Sequence, residues 1–484
     1  MKLKRFPLFF GILALLLFSC SLSNWENFYT PPANVPARDF WTIDVSSGEF
    51  RNITAELLAD GRHVRVWVER GAAVSQQTAK RVAREFDNNI FPRMMDVFGL
   101  FGNISFSGQI IAHNTMELAH WLADGDGKVV ILFLNIRGNP QPGSGEMGVA
   151  GYFWGGDLLA IPNSNREVIL YIDANVFEPG TTDSNAVIVH EFQHLLNFVT
   201  SVLLRNRPMD LWINEGLSMA AMDVVYPNQE SVNSVNWFNR DPSGQIQRGN
   251  NFFVWGNRTR ESARAILDDY VTAHLFFEWL RVQAGSTDIF HDIMASREFD
   301  HRAVTTAANR AISGHGFDNW ETLLRTWLAA NYINAPSGIF GYRNAPVLRD
   351  IQARTAPAVP NIQLYPGEGV FSITEIRQPL PVRSGNIRYA GLTRATPWLN
   401  EAETFPDGAL LTFNSSTNTE GGQERGLTTG VAASIVIAPH SWTLGEHSPR
   451  PLTISLEDML RLSGRGVNHE PDILNLGWGI FNND

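Results

Sequence analysis

Apolar and polar residues alternate in some parts of the chain and recur at helical spacing in others. Val64–Val68 alternates, which predicts a half-buried strand. Val129–Leu134 and Val168–Ile172 are continuous apolar runs, which we expect to form buried strands. Between the first two of these segments, Val74–Phe98 carries apolar residues at helical spacing, with its charges mostly on the other face. That segment is predicted to be a long helix.

Residues 181–335 have the pattern of a mainly helical region. A first helix is predicted to begin at Thr182 or Asp183, since either residue can cap it. Between about 226 and 260 the chain is rich in Asn, Gly and Ser without periodicity, so we interpret it as a long loop that forms a wall of a substrate cleft. Further helices are expected at about 261–284, 287–297, 302–313 and 318–333.

These patterns divide the 484-residue chain into two or three domains of α+β class. A β-rich part at 46–180 precedes the helical part at 181–335, and the two together form one predicted domain. Residues 336–360, which contain several prolines, are predicted to be a linker. Short apolar runs between turn residues then predict a small β-rich domain at 361–484 with no chemical motif of its own.

Residues 1–19 have the features of an export signal. A positively charged start, Lys2 to Arg5, precedes the apolar run Phe9–Phe18, which is too short for a membrane-spanning helix. Cys20 follows and is the only cysteine in the chain, so the mature protein cannot form an internal disulfide. Its core must therefore supply stability without covalent cross-links.

The sequence Leu17-Phe18-Ser19-Cys20 resembles the lipobox of bacterial lipoproteins. This resemblance implies lipidation of Cys20 and attachment to a membrane of the bacterial cell envelope. Residues 20–45, which include three prolines, are then expected to be a tether between membrane and domain. The alternative is a plain secretory signal with an incidental cysteine, which predicts a secreted protein. Both interpretations predict export.

Composition narrows the range of partners. Apolar residues make up 44% and charged residues 18% of the chain, which is ordinary for a globular protein and argues against disorder. The formal net charge is −11. Because phosphate backbones attract basic surfaces, we expect no nucleic-acid partner.

The strongest chemical signal is His190-Glu191-Phe192-Gln193-His194. Two histidines four residues apart lie on one face of a helix, so both imidazoles can reach one zinc ion at about 2.0–2.1 Å. Glu191 cannot easily share that ion, but it can flank a bound water and take its proton. The alternative is a helix with two unrelated histidines. The apolar character of this helix argues against that alternative, because buried polar groups need partners.

Glu215 supplies a third candidate ligand. It lies 21 positions after His194, at the start of a second helical stretch. Two histidines and one glutamate leave the fourth position of a zinc ion open, which is typical of a catalytic rather than a structural site. The sequence therefore predicts a centre with one Zn²⁺ ion.

This constellation resembles the gluzincin metallopeptidases, which include thermolysin-like, aminopeptidase-N-like and hyicolysin-like enzymes. The resemblance rests on the His190–His194 motif followed by Asn214-Glu215-Gly216-Leu217-Ser218. Over about 60–335 the chain is most similar to the hyicolysin-like neutral metallopeptidases. The resemblance implies a thermolysin-like catalytic domain, Glu191 as general base and then acid, and zinc ligation by His190, His194 and Glu215.

The resemblance also implies how the ligands are oriented. In relatives the residue matching Asn214 holds a ligand imidazole, and a metal-bound histidine does need a partner for its other ring nitrogen. Thermolysin-like enzymes have an aspartate four residues after the glutamate ligand, whereas this chain has Met219. A backbone carbonyl or Asp210 is therefore expected to orient His190.

Tyr270 is the candidate group for stabilising the oxyanion of the reaction. It opens a helical stretch 55 positions after Glu215, as the corresponding tyrosine does in aminopeptidase-N-like enzymes. The alternative is a tyrosine that only packs. His274 lies one turn further on the same face, and we expect it to be structural rather than part of the site.

The resemblance favours an endopeptidase acting on protein or peptide substrates. Aminopeptidase-N-like enzymes carry a Gly-x-Met-Glu-Asn segment that captures the free amine of the substrate. The corresponding segment here, Met147–Trp154, has no Glu-Asn pair. Two alternatives stay open: an aminopeptidase of the same clan, and a non-catalytic surface lipoprotein on a peptidase scaffold.

Overall fold

The structure is a computed structural model. It describes residues 25–99, 128–140, 148–158, 162–203, 205, 207–258, 264–356, 362–419, 424–426 and 480–481. The predicted signal segment, Cys20 and Met147 lie outside these residues. Within them the protein is α+β: a mixed sheet, a helical layer and a second, antiparallel sheet.

The N-terminal sheet has six strands in the order β1-β2-β3-β4-β7-β6. β3, β4 and β7 are parallel to one another, and the other neighbours pair antiparallel. The predicted strands are confirmed, and every residue of β4 is buried, as its continuous apolar run predicts. The strands are β1 Arg38–Ile43, β2 Phe50–Asp60, β3 Val64–Glu69, β4 Val129–Leu134, β6 Gly151–Tyr152 and β7 Ile169–Asp173.

The predicted tether at 20–45 is wrong in its second half. β1 lies within it and pairs with β2 from Arg38↔Ala55 to Ile43↔Phe50. Phe40 and Ile43 of β1 are buried in the core. The strand escaped prediction because it is short and follows a stretch rich in proline. From β1 onwards the chain belongs to the folded body.

Besides the short helix Trp25–Phe28, the described residues form nine helices. The predicted helix at 74–98 is confirmed as α1 and α2, which are joined by a π-helical turn at Phe86–Ile90. The four helices predicted after residue 260 are also confirmed. The helices are α1 Gln76–Glu85, α2 Phe91–Phe98, α3 Thr182–Asn197, α4 Leu211–Val225, α5 Gln229–Arg240, α6 Ala265–Ala284, α7 Asp288–Ala295, α8 His301–Ala311 and α9 Trp320–Ile333.

Helix α5 corrects the prediction of a long loop at 226–260. Its sequence is rich in Asn and Ser, which are weak helix formers, so propensity gives no helical signal. Tertiary contacts supply the stability instead. Val235 and Phe238 are buried, and Asp223 accepts hydrogen bonds from two backbone amides in the first turn of the helix.

Helices α3, α4 and α6 form the centre of the helical layer. α3 and its π-helical extension, Thr182–Leu203, are long and apolar enough to span a membrane, but beyond the exposed Thr182 and Asp183 this segment is buried inside the fold. α4 packs against both other helices. A Cβ atom on Gly216 would lie only 2.3 Å from the ring of Phe277, so glycine is required where α4 meets α6.

The C-terminal sheet, in the order β11-β10-β12-β9, packs on the helical layer and shares its core. Arg258 of the helical part and Glu368, just before β9, form a fully buried ion pair at 2.6 Å. Residues 336–356 lie against α9, with Tyr342 buried. The strands are β9 Gly369–Thr374, β10 Ile387–Thr393, β11 Trp398–Asn400 and β12 Gly408–Asn414.

Two short pairings complete the described strands. β8, Ile362–Leu364, pairs antiparallel with β13, Glu424–Gly426. β5, Gly148–Val149, pairs antiparallel with β14, Ile480–Phe481, near the end of the chain. This second pairing brings the C-terminal residues beside the segment that leads into β6.

Candidate metal centre

Helix α3 places three side chains of the predicted motif in the interior. Thr181 caps the helix: its backbone is extended and its hydroxyl accepts the amide of Ser184 at 3.3 Å. The cap is thus one residue before the predicted positions. His190 and Glu191 are fully buried, and His194 is nearly so. Such burial is costly for polar side chains unless they share a common partner.

Glu215, in the second turn of α4, reaches the two histidines. Its Oε2 atom lies 3.4 Å from Nε2 of His190 and 3.3 Å from Nε2 of His194. The two Nε2 atoms are 3.0 Å apart. Three possible ligand atoms from two helices therefore face one point, and we call these residues the first cluster.

The first cluster fits a zinc ion. Ligand atoms held at 2.0–2.1 Å in a tetrahedron are roughly 3.3 Å from one another, close to the spacing observed. Glu215 Oε2 is buried and has no hydrogen-bond partner in the described part of the chain, although both imidazoles lie next to it. A cation between these atoms would account for an arrangement that hydrogen bonds do not.

The protonation states also suit a metal. Burial lowers the pKa of His190 to about 4, so its imidazole is neutral at pH 7. Burial alone would raise the pKa of Glu215, but His194 and His190 outweigh it and lower the pKa. Neutral imidazole and ionised carboxylate are the forms that bind a divalent ion.

Ser218 orients His194. Its hydroxyl lies 3.1 Å from Nδ1 of His194 and donates to Oε1 of Gln193 at 2.5 Å. Because that single proton goes to Gln193, Nδ1 of His194 must be the donor to Ser218. Nε2 of His194 is then left with its lone pair directed at the first cluster, as a ligand requires.

The structure places the other predicted orienting groups differently. Asn214 is next to Glu215, but no hydrogen bond joins its side-chain oxygen to a described residue. Its backbone carbonyl oxygen lies 3.0 Å from the hydroxyl oxygen of Ser218. Nδ1 of His190 is likewise without a hydrogen-bond partner among the described residues, so neither a carbonyl nor Asp210 holds it.

Strand β6 passes directly over Glu191. A Cβ atom on Gly151 would lie 3.2 Å from Cγ of Glu191, 2.8 Å from Cγ1 of Val187 and 2.9 Å from the carbonyl oxygen of Tyr171. Only glycine lets the strand come this close. Because β6 is the last strand of the six-stranded sheet, Glu191 lies beneath a sheet edge.

Tyr270, near the start of α6, lies beside the first cluster. The centre of its ring is 6.1 Å from that of His190. On its other side the ring packs edge-on against Trp255, with ring centres 4.9 Å apart. Trp255 lies in the stretch between α5 and α6, and Asp269 accepts the amide of Gly256 in that stretch at 2.6 Å.

A small pocket, with room for about one water molecule, opens beside the cluster. His194 and Asn214 form its polar side. The rest of its wall is mainly apolar and includes Phe153, Phe198, Val202, Pro208 and Met209.

The sequence analysis missed Ser218, Gly151 and Trp255. Ser218 could have been found, because a residue three positions after Glu215 lies on the same helical face. Gly151 and Trp255 gave no such signal, since their positions depend on how the sheet and the stretch before α6 pack on α3 and α6.

The chain is similar to a known metalloprotease. It is 25% identical over 353 residues to the neutral metalloprotease ShpI of Staphylococcus hyicus, and the match covers 70% of this chain and 72% of the relative. No family model matches the chain. Together with the buried cluster of His190, His194 and Glu215, the similarity supports a zinc-dependent peptidase of a metallopeptidase family.

Proposed function

We propose that the protein is an exported zinc endopeptidase that hydrolyses internal peptide bonds of protein or peptide substrates. The observation that carries the proposal is the convergence of His190, His194 and Glu215 on one point, with Glu191 beside them. Two histidines and one glutamate are the ligands of an open, catalytic zinc site. A small pocket lined by His194 adjoins that site.

Glu191 handles the proton in the proposed reaction. A zinc ion in the first cluster would supply a water molecule whose pKa is lowered toward about 7. Glu191 would accept a proton from the attacking water on its carboxylate and deliver it to the peptide nitrogen, which leaves as the amine when the C–N bond breaks. Because Glu191 is fully buried, its carboxylate is shielded from competing solvent.

Tyr270 is proposed to stabilise the charge that develops on the substrate carbonyl. Its ring lies beside His190, and Trp255 limits the positions that the ring can take. A hydroxyl held in place donates a hydrogen bond to the oxyanion without reorganising first. Packing against Trp255 therefore assists the reaction by keeping Tyr270 in one orientation.

The edge strand β6 favours internal cleavage. An extended peptide can add to an exposed strand edge through main-chain hydrogen bonds, and such pairing needs no free terminus. The close contact of Gly151 with Glu191 would place a peptide on this edge near the base. The sequence from Gly148 to Trp154 also has no acidic residue that could bind a substrate amine.

The decisive experiment compares the wild-type protein with Glu191→Gln. Glutamine keeps the size of the side chain but cannot take a proton, so we expect proteolysis of an unfolded protein to fall about 10²–10⁴-fold with zinc content unchanged. Glu49→Gln is the control, because that side chain is 72% exposed and far along the chain from the cluster. Full activity of Glu191→Gln would refute the mechanism.

Peptide substrates separate the alternatives. An endopeptidase cleaves internally quenched peptides with a blocked amino terminus, whereas an aminopeptidase releases the first residue from aminoacyl fluorogenic substrates. A protein that binds zinc but cleaves neither substrate nor unfolded proteins would be a non-catalytic surface protein on a peptidase scaffold.

Attachment to the bacterial envelope through a lipid on Cys20 is part of the proposal. It rests on the lipobox-like sequence before Cys20 and on the positively charged, apolar segment that precedes it. Expression in bacteria fed a labelled fatty acid should label the wild-type protein but not Cys20→Ala. Release of the wild-type protein into the medium without label would indicate a secreted enzyme.

A further inference from the structure

A second group of ligand-type side chains lies between α4 and α6. Asp223 is on α4, two turns after Glu215, and His274 and Glu278 are one turn apart on α6. All three are buried, and their possible ligand atoms lie within 4.8 Å of one another. We call these residues the second cluster. Nothing in the proposed reaction uses it.

The second cluster repeats the local geometry of the first. Nδ1 of His274 is 2.9 Å from the hydroxyl of Ser234, just as Nδ1 of His194 is 3.1 Å from that of Ser218. Nε2 of His274 is 3.4 Å from Oδ2 of Asp223, and the corresponding distance in the first cluster is 3.3 Å. In both clusters a serine holds one nitrogen of the ring, and the other nitrogen faces a carboxylate.

The hydrogen bonds around His274 indicate that its Nε2 atom binds either a cation or a proton. Ser234 donates its one hydroxyl proton to Oε1 of Glu230 at 3.3 Å, so Nδ1 of His274 donates to Ser234. Nε2 is fully buried and makes no hydrogen bond within the described structure. Its lone pair would face a carboxylate unless positive charge lies between them.

The charges around His274 also favour a bound cation or bound protons. Three buried carboxyl groups, Asp223, Glu230 and Glu278, surround it, and Arg281 is paired with Glu278. Asp223 accepts hydrogen bonds from the amides of Glu230 and Ser231 and from the hydroxyl of Ser231. With a neutral imidazole, these groups leave two negative charges that one divalent ion or two protons can balance.

We infer that the second cluster is a divalent-cation site in which Nε2 of His274 and carboxylate oxygens of Asp223 and Glu278 hold a zinc-class ion. One imidazole with carboxylates suits zinc or manganese better than calcium, which prefers oxygen ligands alone. Because the ligands come from α4 and α6, the ion ties together the two helices that carry Glu215 and Tyr270. This inference does not rest on the proposed peptidase activity.

The test is the zinc content of the full-length protein after extensive dialysis. Wild-type protein should hold two equivalents of zinc. His190→Ala/His194→Ala should hold one, and His274→Gln should also hold one. Cobalt added to metal-free His190→Ala/His194→Ala should produce visible absorption bands of a nitrogen-ligated ion, and His274→Gln in that background should abolish them.

The outcomes separate the two sites. One equivalent in the wild-type protein that is lost in folded His190→Ala/His194→Ala overturns the second site and leaves the first. One equivalent that survives there but is lost on His274→Gln supports the second site and removes the basis of the peptidase proposal. If His274→Gln does not fold, the zinc and cobalt measurements on His190→Ala/His194→Ala still decide the question.

Discussion

Helix α4 contributes a carboxylate to each buried cluster, two turns apart, with α3 completing the first cluster and α6 the second, and the surroundings of the two clusters differ. In the first, His194 and Asn214 line an open pocket, and Glu191 lies beneath the edge strand β6. In the second, Arg281 pairs with Glu278, and none of the three candidate ligands lines that pocket. Two sets of similar ligand side chains therefore differ in access: the first lies beside a pocket, and the second is enclosed.

The comparison indicates what makes a metal site catalytic. Both clusters have a histidine oriented by a serine and a carboxylate from α4. The second also has a neighbouring glutamate, Glu230, whereas the first combines its neighbouring glutamate with a tyrosine and an adjoining pocket. Ligands alone allow a metal to bind, whereas the reaction needs a base, a donor and an open position.

The largest expected effect in this comparison concerns Tyr270, which lies on α6 beside the first cluster. Tyr270→Phe removes one hydroxyl beside the first cluster, and we expect kcat to fall about 10²–10³-fold with little change in KM and zinc content. Tyr389→Phe, in the C-terminal sheet, is the control for loss of a tyrosine hydroxyl. An unchanged kcat for Tyr270→Phe would make Tyr270 a packing residue.

The parts of the site that lie close together in the sequence could be predicted. His190, Glu191 and His194 share one turn of helix, and helical geometry alone brings the two imidazoles together. The strands and helices with strong apolar periodicity were also predictable, as β4 and the helix formed by α1 and α2 show. In these segments local pattern and tertiary structure agree.

What the sequence did not reveal depends on tertiary packing. Helix α5 has weak propensity and is held by Asp223 and its buried side chains. The second cluster needs α4 and α6 to pack at close range, which Gly216 permits at its contact with Phe277. His274 and Glu278 are four residues apart and could have been noticed, but nothing local indicates that Asp223 faces them.

Substitution of Ser218 or Ser234, the serines that contact the two histidines, should have an intermediate effect on zinc affinity. Ser218→Ala removes the group that orients His194, and loss of such a partner weakens metal affinity about 10–100-fold. Ser234→Ala should do the same to the second cluster through His274. Competition with a zinc chelator, followed for each variant, should show weakened binding of one ion and normal binding of the other.

This pair also tests whether the clusters are independent. Proteolysis at limiting zinc should fall in Ser218→Ala and recover when zinc is added, because only metal loading has changed. If Ser218→Ala binds zinc as tightly as the wild-type protein, then the contact with His194 does not orient a ligand. Equal weakening of both ions by either variant would show that the clusters are coupled through α4 and α6.

The smallest expected effect is a pH dependence of stability in the metal-free protein. Burial alone would lower the pKa of His274, but Asp223, with Glu278 and Glu230, outweighs it and raises the pKa. Burial, followed by the charge of Asp223, raises the pKa of Glu230 to about 7. Arg281 is the cationic side chain paired with Glu278 in this group. The folded state therefore keeps protons on these two groups that the unfolded state has released.

The sign follows from this difference in bound protons. The stabilisation by protonated His274 is complete below its unfolded pKa of about 6.5 and is lost as the pH rises through the raised folded value. Glu230 acts in the same direction: the stability falls as the pH rises from about 4.5 toward 7, because the unfolded state releases a proton that the folded state keeps. Each proton contributes a slope of at most about 1.4 kcal/mol per pH unit, so we expect a loss of about 1 kcal/mol between pH 6.5 and 7.5.

His190→Ala/His194→Ala protein isolates this effect, because its first cluster cannot bind zinc. Urea unfolding with a chelator should show stability falling from pH 6.5 to 7.5, whereas saturating zinc should remove or reverse the slope, since the ion binds the deprotonated imidazole. His274→Gln in the same background should lose the part of the slope that His274 contributes and the response to zinc. A slope that zinc leaves unchanged would mean that protons, rather than a cation, balance the second cluster. The two clusters would then differ in ligand binding as well as in surroundings.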